Sequence, residues 1–173
     1  MNKFAWLLMA ATAFAAEPDW RTVEDRALEL LVKYVRMQTV NPPANTRAAA
    51  EMFRAELEAV GLKPTLYTSG PDGQTNLVVR MAGRDRSKKP LLLLNHFDVV
   101  PVDRKAWSMD PFAALIKDGV IWGRGTLDMK GIGVQQLTAL IELKKAGITP
   151  ARDIVMLVTA DEGRSRLDAR TAA

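Results

Sequence analysis

His96, the only histidine of the 173 residues, closes the run Leu91-Leu92-Leu93-Leu94-Asn95-His96-Phe97-Asp98. A continuous apolar run of this kind reads as a strand covered on both faces, and such strands present polar groups at their carboxyl ends. On an extended backbone His96 and Asp98 alternate with Phe97 and project to the same side. An imidazole with a carboxylate two residues on suits a metal ligand and the group that orients it. A core histidine satisfied by its neighbours gives the same pattern. Two more acidic positions join this one. Asp128 lies in Trp122-Gly123-Arg124-Gly125-Thr126-Leu127-Asp128-Met129-Lys130-Gly131, and Asp161-Glu162 follows the apolar run Ile154 to Thr159. Imidazole and carboxylates are donor types that zinc accepts, and a further carboxylate can act as base toward water. Taken singly, Asp128 also reads as a helix cap and Asp161-Glu162 as a solvated strand end. Gly123 and Gly125 lack the third glycine of a dinucleotide fingerprint and mark a tight turn.

The elements that must position these groups alternate along the chain. Val23, Ala27, Leu30, Leu31, Tyr34 and Val35 recur at helical spacing, so a first amphipathic helix is expected over 22–37, with Thr22 and Asp25 as a capping pair. Asn41-Pro42-Pro43 breaks it, because the residue before a proline is pushed out of the helical region. A second helix carries Ala49, Met52, Phe53, Leu57 and Val60 and stops at Gly61. The period then becomes two: 64–67 and 76–80 read as strands around Gly70-Pro71-Asp72-Gly73, followed by the Leu91 strand. Ala114-Leu115-Ile116 and Val120-Ile121-Trp122 flank Lys117-Asp118-Gly119 as a short hairpin. A third helix is expected over 129–146, with Lys144 and Lys145 in its last turn and Gly147 as its stop, and a last strand over 153–159. Helices alternating with buried strands define an α/β fold built on a mixed β-sheet flanked by helices.

The chain suffices for one sizeable core, and its 24 Lys and Arg against 20 Asp and Glu are spread rather than gathered. That distribution gives no case for nucleic acid, which favours a concentrated basic face. Lys3, the apolar stretch Phe4 to Phe14 and the small-x-small site Ala13-Phe14-Ala15 make residues 1–15 a secretory signal peptide, with a secreted or periplasmic protein as the expectation. The stretch is too short for a stable membrane span. With no cysteine, neither disulfide nor thiolate chemistry is available. Residues 163–173 carry neither apolar period and read as an irregular tail.

Three motifs together resemble the M20 family of zinc metallopeptidases and deacylases: His96-Phe97-Asp98-Val99-Val100-Pro101, Trp122-Gly123-Arg124-Gly125 through Asp128-Met129-Lys130-Gly131, and Thr159-Ala160-Asp161-Glu162. Trp107-Ser108-Met109-Asp110-Pro111-Phe112 is similar to the aminoacylase and carboxypeptidase S side of that family. The resemblance runs from about Trp20 to Glu162 and implies a zinc-exopeptidase-like catalytic domain, with 16–162 as its amino-terminal part. It implies that His96 ligates one zinc, that Asp98 orients or tunes His96, and that Asp128 bridges two zinc ions, other divalent metals such as Co2+ being alternatives. Glu162 matches the catalytic glutamate that moves a proton from water to the leaving nitrogen. The implied substrate is an N-acyl amino acid or small peptide with a free carboxylate.

The chain also departs from the pattern. Family members carry a second glutamate, a ligand of the other zinc, directly after the catalytic one, and Gly163 stands there. The further acidic ligand, second histidine and lid domain of the family do not follow, and a homodimer is expected only where that lid domain is present. His96 and Asp128 fall short of the three protein ligands usual for catalytic zinc. The expectation is therefore the amino-terminal part of a zinc-dependent amidohydrolase, inactive as it stands. The alternative is a non-catalytic peptide- or protein-binding module that keeps the fold, and a chain that does not fold stably is a third.

Overall fold

Helix α1, Trp20–Arg36, begins two residues before the sequence pattern places it, because Asp19 and not Thr22 is the cap. The Asp19 carboxylate accepts from the Thr22 main-chain N–H and from its hydroxyl at 2.7 Å, satisfying a donor that the helix leaves free. The computed structural model describes residues 17–69 and 73–162. The expected leader 1–15, the tail 163–173 and most of the Gly70 turn lie outside the described residues.

Helix α2, Arg47–Ala59, ends where expected, at Gly61, whose φ of 78° lies in the left-handed region. Strands β1, Thr65–Ser69, and β2, Gln74–Met81, form a hairpin, and β3 runs from Leu91 to His96. Strands β4, Leu115–Lys117, and β5, Val120–Trp122, close a second, two-stranded sheet. Their turn residues Asp118 and Gly119 both have positive φ, the mirror-image turn that a tight hairpin needs. Helix α3 covers Gly131–Lys145 and strand β6 Ile154–Thr159.

The main sheet has the order β1-β2-β6-β3, with β6 antiparallel to β2 and parallel to β3, so the sheet is mixed as expected. Register explains the core. Leu77, Val79 and Met81 of β2 pair with Val158, Met156 and Ile154 of β6, and all six face the three helices. Against them pack Tyr34 of α1, Phe53 and Leu57 of α2, and Val134, Leu137, Leu140 and Ile141 of α3. Tyr34, Phe53 and Phe97 meet edge to face with centroids 5.2 to 6.1 Å apart, each contact adding about 0.5–1.5 kcal/mol beyond its buried area.

Two expectations require correction. Among the described residues the Leu91 strand is not covered on both faces: β3 lies at the edge of their sheet, and Leu91, Leu92 and Leu94 are each about half exposed. The described helices all pack on the face that carries Leu77 and Met156, so an unbroken leucine run marks a strand here without marking burial. Asp128 is not a helix cap either. Helix α3 starts at Gly131, two residues later than the pattern suggests. A wide turn precedes it, closed by the Lys130 N–H on the Gly125 carbonyl at 2.8 Å, in which Asp128 and Met129 have non-helical backbones.

Candidate functional site at the strand ends

Phe97 fixes the orientation of its neighbours. Its ring is fully buried in the aromatic cluster, so His96 and Asp98 turn away from that core at the carboxyl end of β3. The chain after α1 runs alongside. Val40 and Val99 form a parallel bridge, Asn41 N–H donates to the Val99 carbonyl at 2.8 Å, and Val99 N–H donates to that of Thr39 at 3.0 Å. The Thr39 hydroxyl adds a bond of 2.7 Å to the Phe97 carbonyl. Strand β6 ends beside β3, and Ala160 N–H donates to Asn76 Oδ1 at 2.7 Å, which sets the turn carrying Asp161 and Glu162.

These pieces enclose a cleft of about 240 Å³ lined by His96, Asp98, Arg124, Gly125, Asp128 and Glu162 among others. Four residues from three separate stretches of the sequence, His96, Asp98, Asp128 and Glu162, thus line one cleft. His96 Nε2 lies 3.2 Å from Asp128 Oδ1. On the other side of the ring Nδ1 lies 2.9 Å from the Asp98 carbonyl and 3.5 Å from Asp98 Oδ1. The main chain of Asp98 is therefore the nearer partner of His96, with the carboxylate behind it. Burial alone works against a charged imidazole, yet hydrogen bonds and charge from Asp98, with Asp128 opposite, push His96 up to about 9.

Asp161 and Glu162 part company. Glu162 is exposed to the cleft, and its main-chain N–H reaches Asp98 Oδ1 at 3.1 Å. Asp161 is buried and turns inward, where Oδ1 accepts from Asn41 Nδ2 at 2.6 Å. The same amide nitrogen donates to Asp98 Oδ2 at 2.9 Å.

Sequence reasoning took Asn41 only as the residue before a double proline and missed it here. It missed Lys130 as well. That side chain is wholly buried under the Asp128 turn, with Nζ on the Tyr34 carbonyl at 3.0 Å and the Met37 carbonyl at 2.7 Å, and 4.7 Å from the centre of the Tyr34 ring. Burial pushes its ammonium down to about 7. A lysine two residues after a candidate ligand was the available signal, since lysine is rarely buried without a dedicated partner.

Donor chemistry decides what the cleft can hold. The Nε2 and Oδ1 atoms that now face each other are one imidazole and one carboxylate donor, the types that zinc takes. Among the described residues no group of three or more His, Cys, Asp or Glu side chains is arranged to enclose a metal. The described residues thus fit part of a metal site.

The mixed sheet thus brings an imidazole and carboxylates to its strand ends, where α/β proteins place their sites. The solved M20 family metallo-carboxypeptidase from Sulfolobus solfataricus superposes on this chain with a TM-score of 0.66 at 26% identity, covering 79% of this chain and 31% of that one. Residues 92–171 match the model of peptidase family M20/M25/M40, and the chain belongs to this family. It is 35% identical to aminoacylase-1 of Pongo abelii over 140 residues, 80% of this chain and 34% of the relative. It is 31% identical to succinyl-diaminopimelate desuccinylase of Delftia acidovorans over 146 residues, 83% of this chain and 37% of that one. The chain spans about a third of the length of these relatives.

Proposed function

We propose that this chain contributes His96, Asp128, Asp98 and Glu162 to the active centre of a zinc-dependent hydrolase of amide bonds in N-acyl amino acids or small peptides. The observation that carries the proposal is the approach of His96 Nε2 to Asp128 Oδ1, 3.2 Å, in the cleft that Glu162 also lines. Family membership and the names of the relatives, an aminoacylase and a desuccinylase, support the same reading. His96 and Asp128 would hold zinc, with the remaining ligands supplied by sequence corresponding to the two thirds of the relatives that this chain does not span. When bound, zinc polarises the scissile carbonyl and acidifies water. Asp98 orients the imidazole through Nδ1, leaving Nε2 directed at Asp128. Glu162, exposed at the rim, takes the proton of the attacking water and hands it to the leaving nitrogen. Export follows from Lys3, the Phe4 to Phe14 stretch and Ala13-Phe14-Ala15, and belongs to the same proposal.

The test replaces Glu162 by Gln in the full-length protein and measures zinc affinity and hydrolysis across N-acyl amino acids and dipeptides. Turnover should drop about 10²- to 10⁴-fold with zinc affinity unchanged, because a base is lost and not a ligand. Unimpaired turnover would refute the assignment of Glu162, and an inert wild-type protein would favour the binding-module reading. The 173-residue chain alone should bind zinc weakly and turn over little. Tightly held stoichiometric zinc would show that two protein ligands are an undercount.

A further inference from the structure

Asp98 is the meeting point of the cleft, and its oxygens are all engaged. Oδ2 accepts from Asn41 Nδ2 at 2.9 Å, and Oδ1 accepts from Glu162 N–H at 3.1 Å and lies 3.5 Å from His96 Nδ1. Asp161, nearly as buried, has Asn41 as its only side-chain partner among the described residues, at 2.6 Å. Carboxylates accept and do not donate, so the face of Asn41 turned toward them must be the amino group, and its two hydrogens match two acceptors. The base of this side chain is fixed as well. The Asn41 main chain is bonded to Val99, and Pro42 and Pro43 hold the following backbone.

We propose that Asn41 is a positioning residue of the cleft, whose amide NH2 clamps Asp98 to Asp161 and thereby sets the Asp98 carboxylate against the His96 ring and the Glu162 main chain. It touches neither metal nor substrate. The inference rests on the proposed function for its catalytic meaning, while the clamp itself stands on the hydrogen bonds. Removing the donor leaves two buried carboxylates facing one another with an acceptor each unmatched. The Asp98 carboxylate can then shift away from Nδ1, from which Oδ1 lies 3.5 Å, leaving the ring held on that side by the Asp98 carbonyl alone, at 2.9 Å. The amide also occupies the place between two carboxylates where a cation would otherwise be drawn, so it keeps Asp98 an orienting group and not a ligand.

The test exploits the single histidine of the 173-residue chain, whose ring nitrogens give signals assignable without ambiguity. Metal-free chain labelled with 15N-histidine is compared for wild type, Asn41→Leu, which has similar volume and no donor, and Asn41→Asp, which turns the donor into an acceptor. The His96 Nδ1 resonance should move or split in both variants, and zinc affinity, read by competition with a chromophoric chelator, should fall about 10- to 100-fold. Asn41→Gln, which keeps the amino group, should recover part of both. A merely structural asparagine would lower stability and leave the Nδ1 signal and zinc affinity within twofold of wild type, and that result in a folded variant overturns the proposal. Should the Leu and Asp variants lack a cooperative unfolding transition, Asn41→Ser, which keeps one donor and adds no bulk or charge, carries the same readouts. Zinc binding too weak to measure in the wild type bears only on the hydrolase reading, which expects weak binding by this chain, since the ring signal of the metal-free chain still decides the clamp.

Discussion

Replacing Lys130 by Met tests how the buried lysine under the Asp128 turn is held. Burial brings the ammonium to about 7 in the folded chain, against an ordinary value of 10.5 when unfolded. Between those values the unfolded chain binds the extra proton, so stability must rise with pH. Linkage over that interval gives a gain of about 3.5 kcal/mol between pH 7 and pH 10, at 1.36 kcal/mol per unit of displacement. The neutral amine still donates to the Tyr34 and Met37 carbonyls, so deprotonation keeps the two hydrogen bonds. Met matches the length of lysine and cannot donate, leaving those carbonyls unmatched at roughly 1–3 kcal/mol each. At pH 7 this loss and the relief of burying a charge nearly cancel. At pH 10 only the loss remains, and wild type should be ahead by roughly 3 kcal/mol. Urea unfolding of both proteins in chelator at the two pH values measures the double difference, in which all other titrating groups drop out. Parallel stability curves, with an unchanging gap between the proteins, would refute the reasoning.

Other perturbations have equally definite outcomes. Gly125→Ala must place a side chain at φ 83° and drive its Cβ to 2.6 Å from Val99 Cγ1. It should cost about 1–3 kcal/mol by thermal unfolding and weaken zinc binding through the displaced Asp128 turn. Asp153 accepts the Gly83 N–H and pairs with Arg80, which hold its carboxyl below the usual value of 3.8. Its contribution is therefore present above that value and lost as pH falls through the lower folded one. Asp153→Asn should lower the urea midpoint at pH 7, by a deficit that shrinks progressively as pH falls below 3.8, and a deficit independent of pH would contradict the ion-pair account. Because His96 is pushed up to about 9, zinc must displace its proton at neutral pH. Zinc affinity of the metal-free chain should rise about tenfold per pH unit up to about 9 and release a proton, which calorimetry in buffers of different ionisation enthalpy detects. A flat profile over that range would mean that His96 is not a ligand.

Most of the architecture was legible because it is written in local signals. Helical spacing, Gly61 and Gly147, the Asp118-Gly119 turn and the change of period at Lys63 located each element to within about two residues. Coverage was not legible. Leu91 to Leu94 have the composition of a doubly covered strand, yet which strands lie at an edge is decided by pairing between segments sixty residues apart. At the site, the convergence of His96, Asp98, Asp128 and Glu162 on one cleft was legible because each closes or follows a strand or turn that the sequence marks. Asn41 and Lys130 were missed because their roles depend on partners about sixty to one hundred and twenty residues away: nothing local distinguishes a clamp from a loop amide, and the place of Lys130 two residues after Asp128 was the one local hint.

The open side of β3 bears on how any metal experiment with this chain must be run. Among the described residues no strand pairs with the outer side of β3, and such an edge with half-exposed leucines is a template for another strand, association through which is second order in protein. The same strand ends in His96, so an aggregate nucleated at Leu92 and Leu94 would also bury or distort the candidate ligand. Loading of His96 depends on free zinc and is independent of total protein, whereas edge pairing grows with it. A dilution series therefore separates the two, and a Lys at Leu92 or Leu94 should raise solubility while leaving the intrinsic zinc affinity as it was.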